Sequence, residues 1–286
     1  MNTLTRCKPL LGTYVDISLT GEATDDQLIE VSNTAFAEIE RIHNLMSFHR
    51  ADSELTKINK QAFLGPVPIT PDMEAVLSHA LLLSALTSGI YDITVANELM
   101  HHGGLPNCFE DAESGTWNNV HLLDGKISFN KNIKLDLGGI AKGYAVDKAI
   151  DVIAAQPIEL TQVCVNAGGD LRFQDWCNEK VNIRHPSPKR RDQFIAIDMQ
   201  APALATSAPE YTNKNSLIVE PETGSLISTD DSISVFAPSC MIADALTKVL
   251  FLKPDSIDIL EQFKASALRI ERKGTTVPFL SENRAG

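Results

Sequence analysis

Patterns typical of helices and patterns typical of strands are interspersed in this 286-residue chain without a regular strand–helix–strand alternation. Apolar residues recur at helical spacing from Leu28 to Met46 behind a capping box at Thr24, whereas Gly12 to Leu19 alternates as a strand does. Further helices are predicted over residues 52–60, 71–86, 139–155, 241–252 and 255–265, and further strands over 120–122, 127–129, 133–137, 163–166, 181–183, 194–197, 217–219, 233–236, 268–270 and 276–280. This mixture predicts an α+β fold rather than a doubly wound parallel sheet.

The charge of the chain argues against a nucleic-acid partner. The 25 basic and 37 acidic residues give a formal net charge of −12, which repels a phosphodiester backbone. The one basic cluster, Lys189 to Arg191, lies among Pro186, Ser187 and Pro188 and is interpreted as a solvated hairpin loop.

Cysteine spacing and apolar runs indicate a reduced protein without a membrane span. The five cysteines form no CxxC pair, so neither a zinc site nor a disulfide framework is predicted. The first nine residues lack the apolar stretch of a signal peptide, and no run approaches 18 apolar residues. The expected location is therefore the cytoplasm.

The first segment that points to chemistry runs from Leu135 to Asp147, where a strand is expected to end in Gly138 and Gly139 and a helix to begin. Glycine lets the backbone approach a ligand, and the free N–H groups at a helix start favour an anion. Lys142 could add a positive charge to a phosphate. The segment fits neither the Walker A motif nor the G-x-G-x-x-G fingerprint, and a tight turn with a solvated lysine is the alternative.

Two further segments carry carboxylates. Val165 to Asp170 is a second strand ending in two glycines, for which an ordinary turn is the alternative. In the predicted helix after Ser239, Asp244, Thr247 and Lys248 share one face. A carboxylate and a hydroxyl are ligands that Mg²⁺ accepts, whereas the alternative is a surface Asp–Lys pair.

Taken together and in order, these segments resemble the ApbE-type flavin transferases, which are FAD:protein FMN transferases. The matching stretches run from Leu11 to Leu246, so the resemblance extends over about 240 residues. The matching stretches are Leu11 to Tyr14, Asp52 to Asn59, Tyr91 to Val95, Leu135 to Asp147, Val165 to Asp170, Ala205 to Ser207 and Ala243 to Leu246. The stretch from Leu135 to Asp147 is the most specific of them.

The resemblance implies a single domain over residues 1–286, in which two intertwined lobes with mixed or antiparallel sheets hold FAD in a cleft between them. It implies Mg²⁺-dependent transfer of FMN from FAD to a threonine or serine of a partner flavoprotein, with release of AMP. The residues placed at FAD are Leu11, His49, Ile90, Tyr91, Asp92, Asp136, Lys142 and Ile218. Lys142 and Asp244 are the expected catalytic residues, and the metal ligands are the Gly139 carbonyl, Asp244 and Thr247.

Three positions depart from the family pattern. Leu11 replaces a methionine, Lys248 replaces the threonine that ends the metal motif, and Leu217 replaces a histidine that is a candidate catalytic group. His185, Glu210 and Glu220 are possible substitutes for that histidine. These departures leave two alternatives open: an FAD pyrophosphatase that gives FMN and AMP, and a non-catalytic FAD-binding protein.

Overall fold

The computed structural model describes residues 1–109, 111–190, 192–208, 217–227 and 230–279. The strands are β1 (Asn2–Leu10), β2 (Thr13–Gly21), β3 (Val67–Pro68), β4 (Val120–Leu123), β5 (Lys126–Phe129), β6 (Leu160–Ala167), β7 (Asp170–Phe173), β8 (Lys180–Arg184), β9 (Phe194–Asp198), β10 (Ala203–Ser207), β11 (Ile218–Val219), β12 (Leu226–Ile227), β13 (Ser232–Ala237), β14 (Ser266–Ile270) and β15 (Thr276–Phe279). The helices are α1 (Asp25–Met46), α2 (Glu54–Gln61), α3 (Pro71–Leu86), α4 (Ala96–His101), α5 (Ala141–Ala154), α6 (Cys240–Leu252) and α7 (Asp258–Gln262).

One large antiparallel sheet organises the molecule, with the strand order β1-β2-β6-β7-β10-β13-β14-β15. Helices α1, α5 and α6 pack on one face, where alternate strand residues such as Val165, Ala205 and Val235 enter the main apolar core. The β8–β9 hairpin contributes to a second apolar cluster with Leu204 and Phe236, which alternate with the first set. Because side chains alternate across a strand, β10 and β13 are buried on both faces. The predicted α+β class with antiparallel sheets is confirmed.

Local sequence signals explain where several helices begin. The Thr24 side chain and Gln27 form the predicted capping box at the start of α1. Thr70 caps α3, and Pro71 occupies its first turn, where a missing N–H costs nothing. Among the described helices, none combines the length and apolar character needed to cross a bilayer.

The predicted strand at residues 133–137 is wrong, because this extended segment joins no sheet. The Asn59 side chain takes both backbone groups of Leu135, donating to its oxygen at 2.9 Å and accepting from its nitrogen at 2.8 Å. The Asp136 N–H donates to the Ile93 oxygen at 2.8 Å. A side chain and a loop therefore satisfy the backbone groups that a neighbouring strand would otherwise bond.

One other prediction differs from the structure, and some elements, β1 among them, were not predicted. The helix expected over 255–265 is only the short α7, because Pro254 and the turn after it precede the helical segment. Strand β1 was not predicted from the sequence. Its half-buried positions include Arg6 and Lys8, which lie over the Phe36 ring and so interrupt the apolar alternation expected of a strand.

Candidate active site

The turn formed by Gly138, Gly139 and Ile140, called here the glycine turn, leads into α5 at the molecular surface. Gly138 is exposed and Gly139 is half-buried, so the turn is not sealed inside the core. The Gly138 N–H donates to Asp136 Oδ2 at 3.1 Å. The bonds that hold Leu135 and Asp136 therefore also fix the approach to the glycine turn. Anion binding at this open helix start remains a prediction from the sequence.

Helices α5 and α6 begin against each other. A Cβ atom added at Gly143 would lie 2.3 Å from the carbonyl oxygen of Cys240, so only glycine allows this approach. The Gly143 N–H donates to Asp244 Oδ2 at 3.3 Å. The glycine turn and the Asp244 segment are thus on the same side of the molecule.

Asp147 fixes the start of α6 from within α5. Its carboxylate accepts the N–H groups of Cys240 at 2.9 Å and Met241 at 2.8 Å, and it pairs with Arg172 at 2.8 Å. These are the free N–H groups that every helix start presents. One buried carboxylate therefore holds α5, α6 and β7 together beside the candidate site.

Two lysines and two aspartates meet where α5, α6 and the β6–β7 turn converge; Lys142, Asp170, Asp244 and Lys248 are called here the charge cluster. Lys142 Nζ bonds to Asp170 Oδ2 and lies 3.8 Å from Asp244 Oδ2. Lys248 Nζ lies 2.8 Å from Asp244 Oδ1. Two ammonium groups thus face two carboxylates, and the Asp244 side chain is fully buried.

Burial and neighbouring charge set the ionisation of this cluster. Burial alone would lower the pKa of Lys142, but the charges of Asp170 and Asp244 outweigh it and hold that pKa above its ordinary value. Burial alone would raise the pKa of Asp244, but Lys142 and Lys248 hold it below its ordinary value. Burial and the Asp244 charge raise the pKa of Asp170. Asp244, which faces both ammonium groups, therefore has the lower pKa of the two carboxylates.

Lys248 is surrounded by oxygen atoms. Its Nζ lies 2.9 Å from Thr247 Oγ1, 2.9 Å from Ser207 Oγ and 3.4 Å from the Asp244 carbonyl oxygen. Ser207 and Thr247 hydroxyls are 2.7 Å apart. A Cβ atom at Gly139 would lie 3.2 Å from Lys248 Cγ, so the lysine stem passes the glycine turn. Two of the three predicted metal ligands, Asp244 and Thr247, therefore contact the Lys248 ammonium, whereas Gly139 lies beside the lysine stem.

Two of the predicted FAD contacts, Tyr91 and His49, lie near a third, Asp136. Tyr91 is buried, and burial followed by the charges of Asp244, Asp136 and Asp92 raises its pKa well above the ordinary value. His49 is exposed, and its charge opposes the rise that burial causes in the pKa of Asp136. Asp136 is therefore within electrostatic reach of both His49 and Tyr91.

Asp92 has a local structural function. Its Oδ1 accepts the N–H and the hydroxyl of Thr94, both at 2.8 Å, and its Oδ2 accepts the Trp117 N–H at 2.9 Å. Both carboxylate oxygens are thus used to shape the loop that follows Tyr91. Ile90, just before it, is half-buried against the main core.

Leu11 lines an open cavity of about 540 Å³ together with Gly12, Thr13, His43 and Arg50. Leu11 and Gly12 both have positive φ angles, of 56° and 72°, which turn the chain sharply between β1 and β2. A Cβ atom at Gly168 would lie 2.4 Å from Thr13 Oγ1, so the cavity adjoins the β6–β7 turn that ends at Asp170.

The segment around Leu217 lies against the turn after α4. A Cβ atom at Gly104 would be 3.1 Å from Leu217 Cδ1, and His102 Nε2 lies 2.8 Å from the Gly224 oxygen. Ile218 is half-buried in the small β11–β12 sheet. This segment is thus positioned by α4, not by the charge cluster.

The proposed substitutes for the family histidine are placed as follows. His185 is buried at the end of β8, where its Nδ1 accepts the Ser187 N–H at 3.0 Å. Glu220 Oε2 accepts the Thr223 hydroxyl at 2.6 Å within the β11–β12 turn. Both carry local bonds within their own segments. Glu210 lies outside the described residues.

Four residues that shape the site were given no role from the sequence. Ser207 reaches Lys248, Asp170 pairs with Lys142, Asn59 holds Leu135, and Arg172 pairs with Asp147. Asn59, Asp170 and Ser207 do stand in the motif stretches, and that is the signal by which they could have been found. No comparable signal marks Arg172, because its partner lies on another element 25 positions earlier.

The fold and the site define an α+β protein whose glycine turn and charge cluster lie together at the starts of two helices. Residues 11–268 match the family model described as the ApbE family. Because the match covers most of the chain, this protein belongs to the ApbE family.

Individual relatives agree with this assignment. An FAD:protein FMN transferase of Vibrio cholerae is 29% identical over 75% of this chain and 70% of its own length. The FAD:protein FMN transferase of Treponema pallidum is 24% identical over 96% of this chain and 83% of its own length.

Solved structures share the fold. The flavin transferase ApbE from Vibrio cholerae has a TM-score of 0.81 at 22% identity, and the two chains are each covered to 97%. An ApbE protein from Thermotoga maritima has a TM-score of 0.80 at 23% identity, again with 97% of each chain covered.

Proposed function

We propose that this protein is an FAD:protein FMN transferase that moves FMN from FAD to a serine or threonine of a partner flavoprotein and releases AMP. The proposal is supported by the names of its family relatives. The observation that carries it is that the glycine turn lies beside the charge cluster: Gly139 faces the Lys248 stem, and the Gly143 N–H in the next helical turn donates to Asp244. This arrangement joins an anion-accepting helix start to fixed positive charge, as a dinucleotide diphosphate requires.

In this reaction the main task of the protein is to neutralise the negative charge of the diphosphate and of the departing AMP. The acceptor hydroxyl oxygen forms a bond to the phosphorus of the FMN half, the bond from that phosphorus to the bridging oxygen breaks, and the hydroxyl proton is released. Negative charge then develops on the departing AMP. Lys142 and the start of α5 would stabilise that charge. Asp170 and Asp244 hold the Lys142 ammonium in place.

The flavin and adenine rings would occupy the surface beside this cluster. In the proposal, Leu11 lines the ring-binding cavity, and Ile90, Tyr91 and Ile218 add apolar contact. His49 and Asp136 lie near the glycine turn, where polar groups of FAD would meet them. Asp92 would act by shaping the Tyr91 loop. Because residues from Val15 to Ala267 share one main core, we also propose a single domain.

The Mg²⁺ that the family implies would use the Gly139 carbonyl, Asp244 and Thr247. Asp244 Oδ1 and Thr247 Oγ1 are 2.8 and 2.9 Å from Lys248 Nζ, so they do not fit a divalent ion while that ammonium is present. Within the described part of the chain, no group of three or more histidine, cysteine, aspartate or glutamate side chains is placed to hold a metal. The steps proposed above therefore use only the residues of the chain.

A single incubation tests the proposal. The purified protein is mixed with FAD and an apo-flavoprotein that the Vibrio cholerae relative labels under the same conditions, with EDTA in one arm and Mg²⁺ in another. Covalent flavin is measured by mass spectrometry and in-gel fluorescence, and AMP by chromatography. We expect covalent FMN and equal AMP. An unlabelled acceptor in both arms would overturn the proposal.

The same assay without acceptor examines the alternatives. Leu217 stands where the family carries a histidine, and a loss of transfer chemistry there would leave hydrolysis or simple binding. Free FMN with AMP would identify an FAD pyrophosphatase. Bound FAD without AMP would identify a flavin-binding protein.

A further inference from the structure

The Lys248 ammonium is surrounded by oxygen atoms in the way that a bound metal cation would be. Its ammonium group has four oxygen atoms from three residues within 3.4 Å: Asp244 Oδ1, Ser207 Oγ, Thr247 Oγ1 and the Asp244 carbonyl. Carboxylate, hydroxyl and carbonyl oxygens are the donor types that Mg²⁺ uses in proteins.

This lysine is not a surface lysine with a chance partner. Its side chain is 21% exposed and Asp244 is 0% exposed, whereas the surface pair of Lys180 and Asp198 is 70% and 76% exposed. An exposed pair contributes little because water screens it. A buried carboxylate, in contrast, requires a fixed positive partner.

The surroundings hold the ammonium in one position. Lys248 is four residues after Asp244, so both lie on one face of α6. Strand β10 supplies Ser207 from the opposite side, and its hydroxyl is tied to Thr247 at 2.7 Å. Gly139 leaves room for the lysine stem. Three separate elements therefore define the position of Nζ.

A divalent ion cannot share these oxygens with the ammonium. Mg²⁺ binds oxygen at about 2.1 Å, so an ion held by Asp244 Oδ1 and Thr247 Oγ1 would compete with Nζ for two oxygens that the ammonium already contacts. Displacing the lysine would move its charge away from a fully buried carboxylate. It would also place a double positive charge near Lys142, whose ammonium is 3.8 Å from Asp244.

We propose that the ammonium of Lys248 replaces the divalent cation of this site, so that the protein binds and cleaves FAD without a metal ion held by Asp244 and Thr247. The inference rests on the proposed function for the identity of the ligand. It does not rest on that function for the exclusion of the metal, which can be measured directly.

Metal binding is measured with Mn²⁺ alone by electron paramagnetic resonance. We expect no Mn²⁺ binding in the wild-type protein that depends on Asp244, so the wild type and Asp244→Asn should give the same Mn²⁺ spectrum. Lys248→Thr replaces the ammonium with a hydroxyl and should create one site, which is lost in the Lys248→Thr, Asp244→Asn double variant. Lys148→Thr is the matched control, because Lys148 pairs with an exposed aspartate one turn away on α5. A wild-type site that depends on Asp244 overturns the inference.

Affinity for FAD gives a second readout that needs no turnover. Quenching of FAD fluorescence is titrated in EDTA and in Mg²⁺. Between EDTA and Mg²⁺, the dissociation constant of the wild-type protein for FAD should change by less than about twofold. For Lys248→Thr the same constant should be at least about tenfold lower in Mg²⁺, and a tenfold change corresponds to about 1.4 kcal/mol of binding free energy. Tenfold tightening in the wild type overturns the inference, even if the threonine variant does not fold.

The two proposals fail in different ways. If the acceptor stays unlabelled, the transferase proposal is rejected. If the wild-type protein binds no Mn²⁺ in the same preparations and Lys248→Thr gains a site, the lysine inference is supported. Labelling that requires Mg²⁺, combined with a wild-type Mn²⁺ site at Asp244, does the opposite.

Discussion

At the scale of single residues, the ammonium group of Lys142 already has two carboxylate partners before any ligand binds. Asp170 and Asp244 stabilise its charge, and 34% of its side chain remains exposed. A diphosphate that reaches the glycine turn would meet a cation whose position and charge are both fixed. Fixed charge stabilises a transition state more effectively than charge that must reorganise.

Lys142→Met should therefore lower FMN transfer by about 100-fold, as the loss of one fixed charge-stabilising group typically does. Transfer is measured as covalent flavin per unit time at saturating FAD. Lys148→Met is the control, because Lys148 on the same helix pairs with exposed Asp151 and lies outside the charge cluster. Equal losses in the two variants would contradict the role assigned to Lys142.

The pH dependence of stability can be tested at Asp72. Burial alone would raise the pKa of this carboxyl, but bonds from Tyr144 at 2.6 Å and Arg41 at 2.7 Å hold it below the ordinary value. A lowered folded-state pKa contributes stability that is present above the unfolded pKa and is lost as pH falls through the folded value.

The difference in unfolding free energy between wild type and Asp72→Asn should therefore shrink as pH falls from neutral through the lowered pKa of Asp72. Urea unfolding at a series of pH values provides the measurement. Tyr144→Phe removes one of the two donors to Asp72. In that background, Asp72→Asn should therefore change the free energy of unfolding by less than it does in the wild type. A difference that grows on acidification would contradict the assignment.

Local spacing is sufficient to predict some site residues and insufficient for others. Asp244, Thr247 and Lys248 share a helix face by their positions alone, as predicted. The bonds from Asp170 to Lys142 and from Ser207 to Lys248 span 28 and 41 positions. Such pairs depend on the folding of the whole sheet, so no local pattern in the sequence indicates them.

At the scale of secondary-structure elements, the crossing of α5 and α6 depends on the absence of a side chain at Gly143. A Cβ atom there would meet the Cys240 backbone at 2.3 Å. Because backbone atoms cannot rotate away, the two helices would have to separate.

Gly143→Ala should therefore destabilise the protein by about 2–3 kcal/mol, since overpacking in a well-packed core typically costs that much. Gly65→Ala is the matched control: a Cβ atom there meets no atom within 4 Å, and we expect a change within about 0.5 kcal/mol. Both values come from urea unfolding. A stable Gly143→Ala protein would show that the helices tolerate separation.

Helices with clear starting signals could be predicted to within a few residues, as α1 and α3 show. The segment at 133–137 could not, because its apolar alternation is that of a strand. What decides its structure is one asparagine on α2 that binds the backbone of Leu135. A side chain distant in sequence thus replaced the expected strand pairing.

At the scale of the whole molecule, the large sheet should be the most stable part. The inward residues Val15, Ile17 and Leu19 of β2 are fully buried, and β2 is paired on both sides, with β1 and with β6. The β11–β12 sheet has two paired positions among the residues that the structure describes. Amide exchange is slow where global unfolding is required and fast where local opening suffices.

We therefore expect hydrogen–deuterium exchange to be slowest in β2 and β6 and fastest in β11 and β12, among the strands described. Mass spectrometry of peptides from each strand gives the measurement. Equal protection of β2 and β11 would mean that the small sheet unfolds only with the rest of the molecule.

The class of fold was predictable because it follows from the kinds of element present. The strand order was not, since β7 pairs with β10 and β10 with β13 across long stretches of chain. Strand β1 was hidden because two of its inward positions are basic. Sheet order and charged inner faces are properties of the assembled molecule.

The close approach of Gly143 to Cys240 has a consequence for motion. Since the first turns of α5 and α6 touch through their main chains, neither can tilt or slide without carrying the other. The distance between the glycine turn and Lys248 on α6 therefore behaves as a fixed dimension. Any opening or closing beside the charge cluster must come from the loops around these two helices.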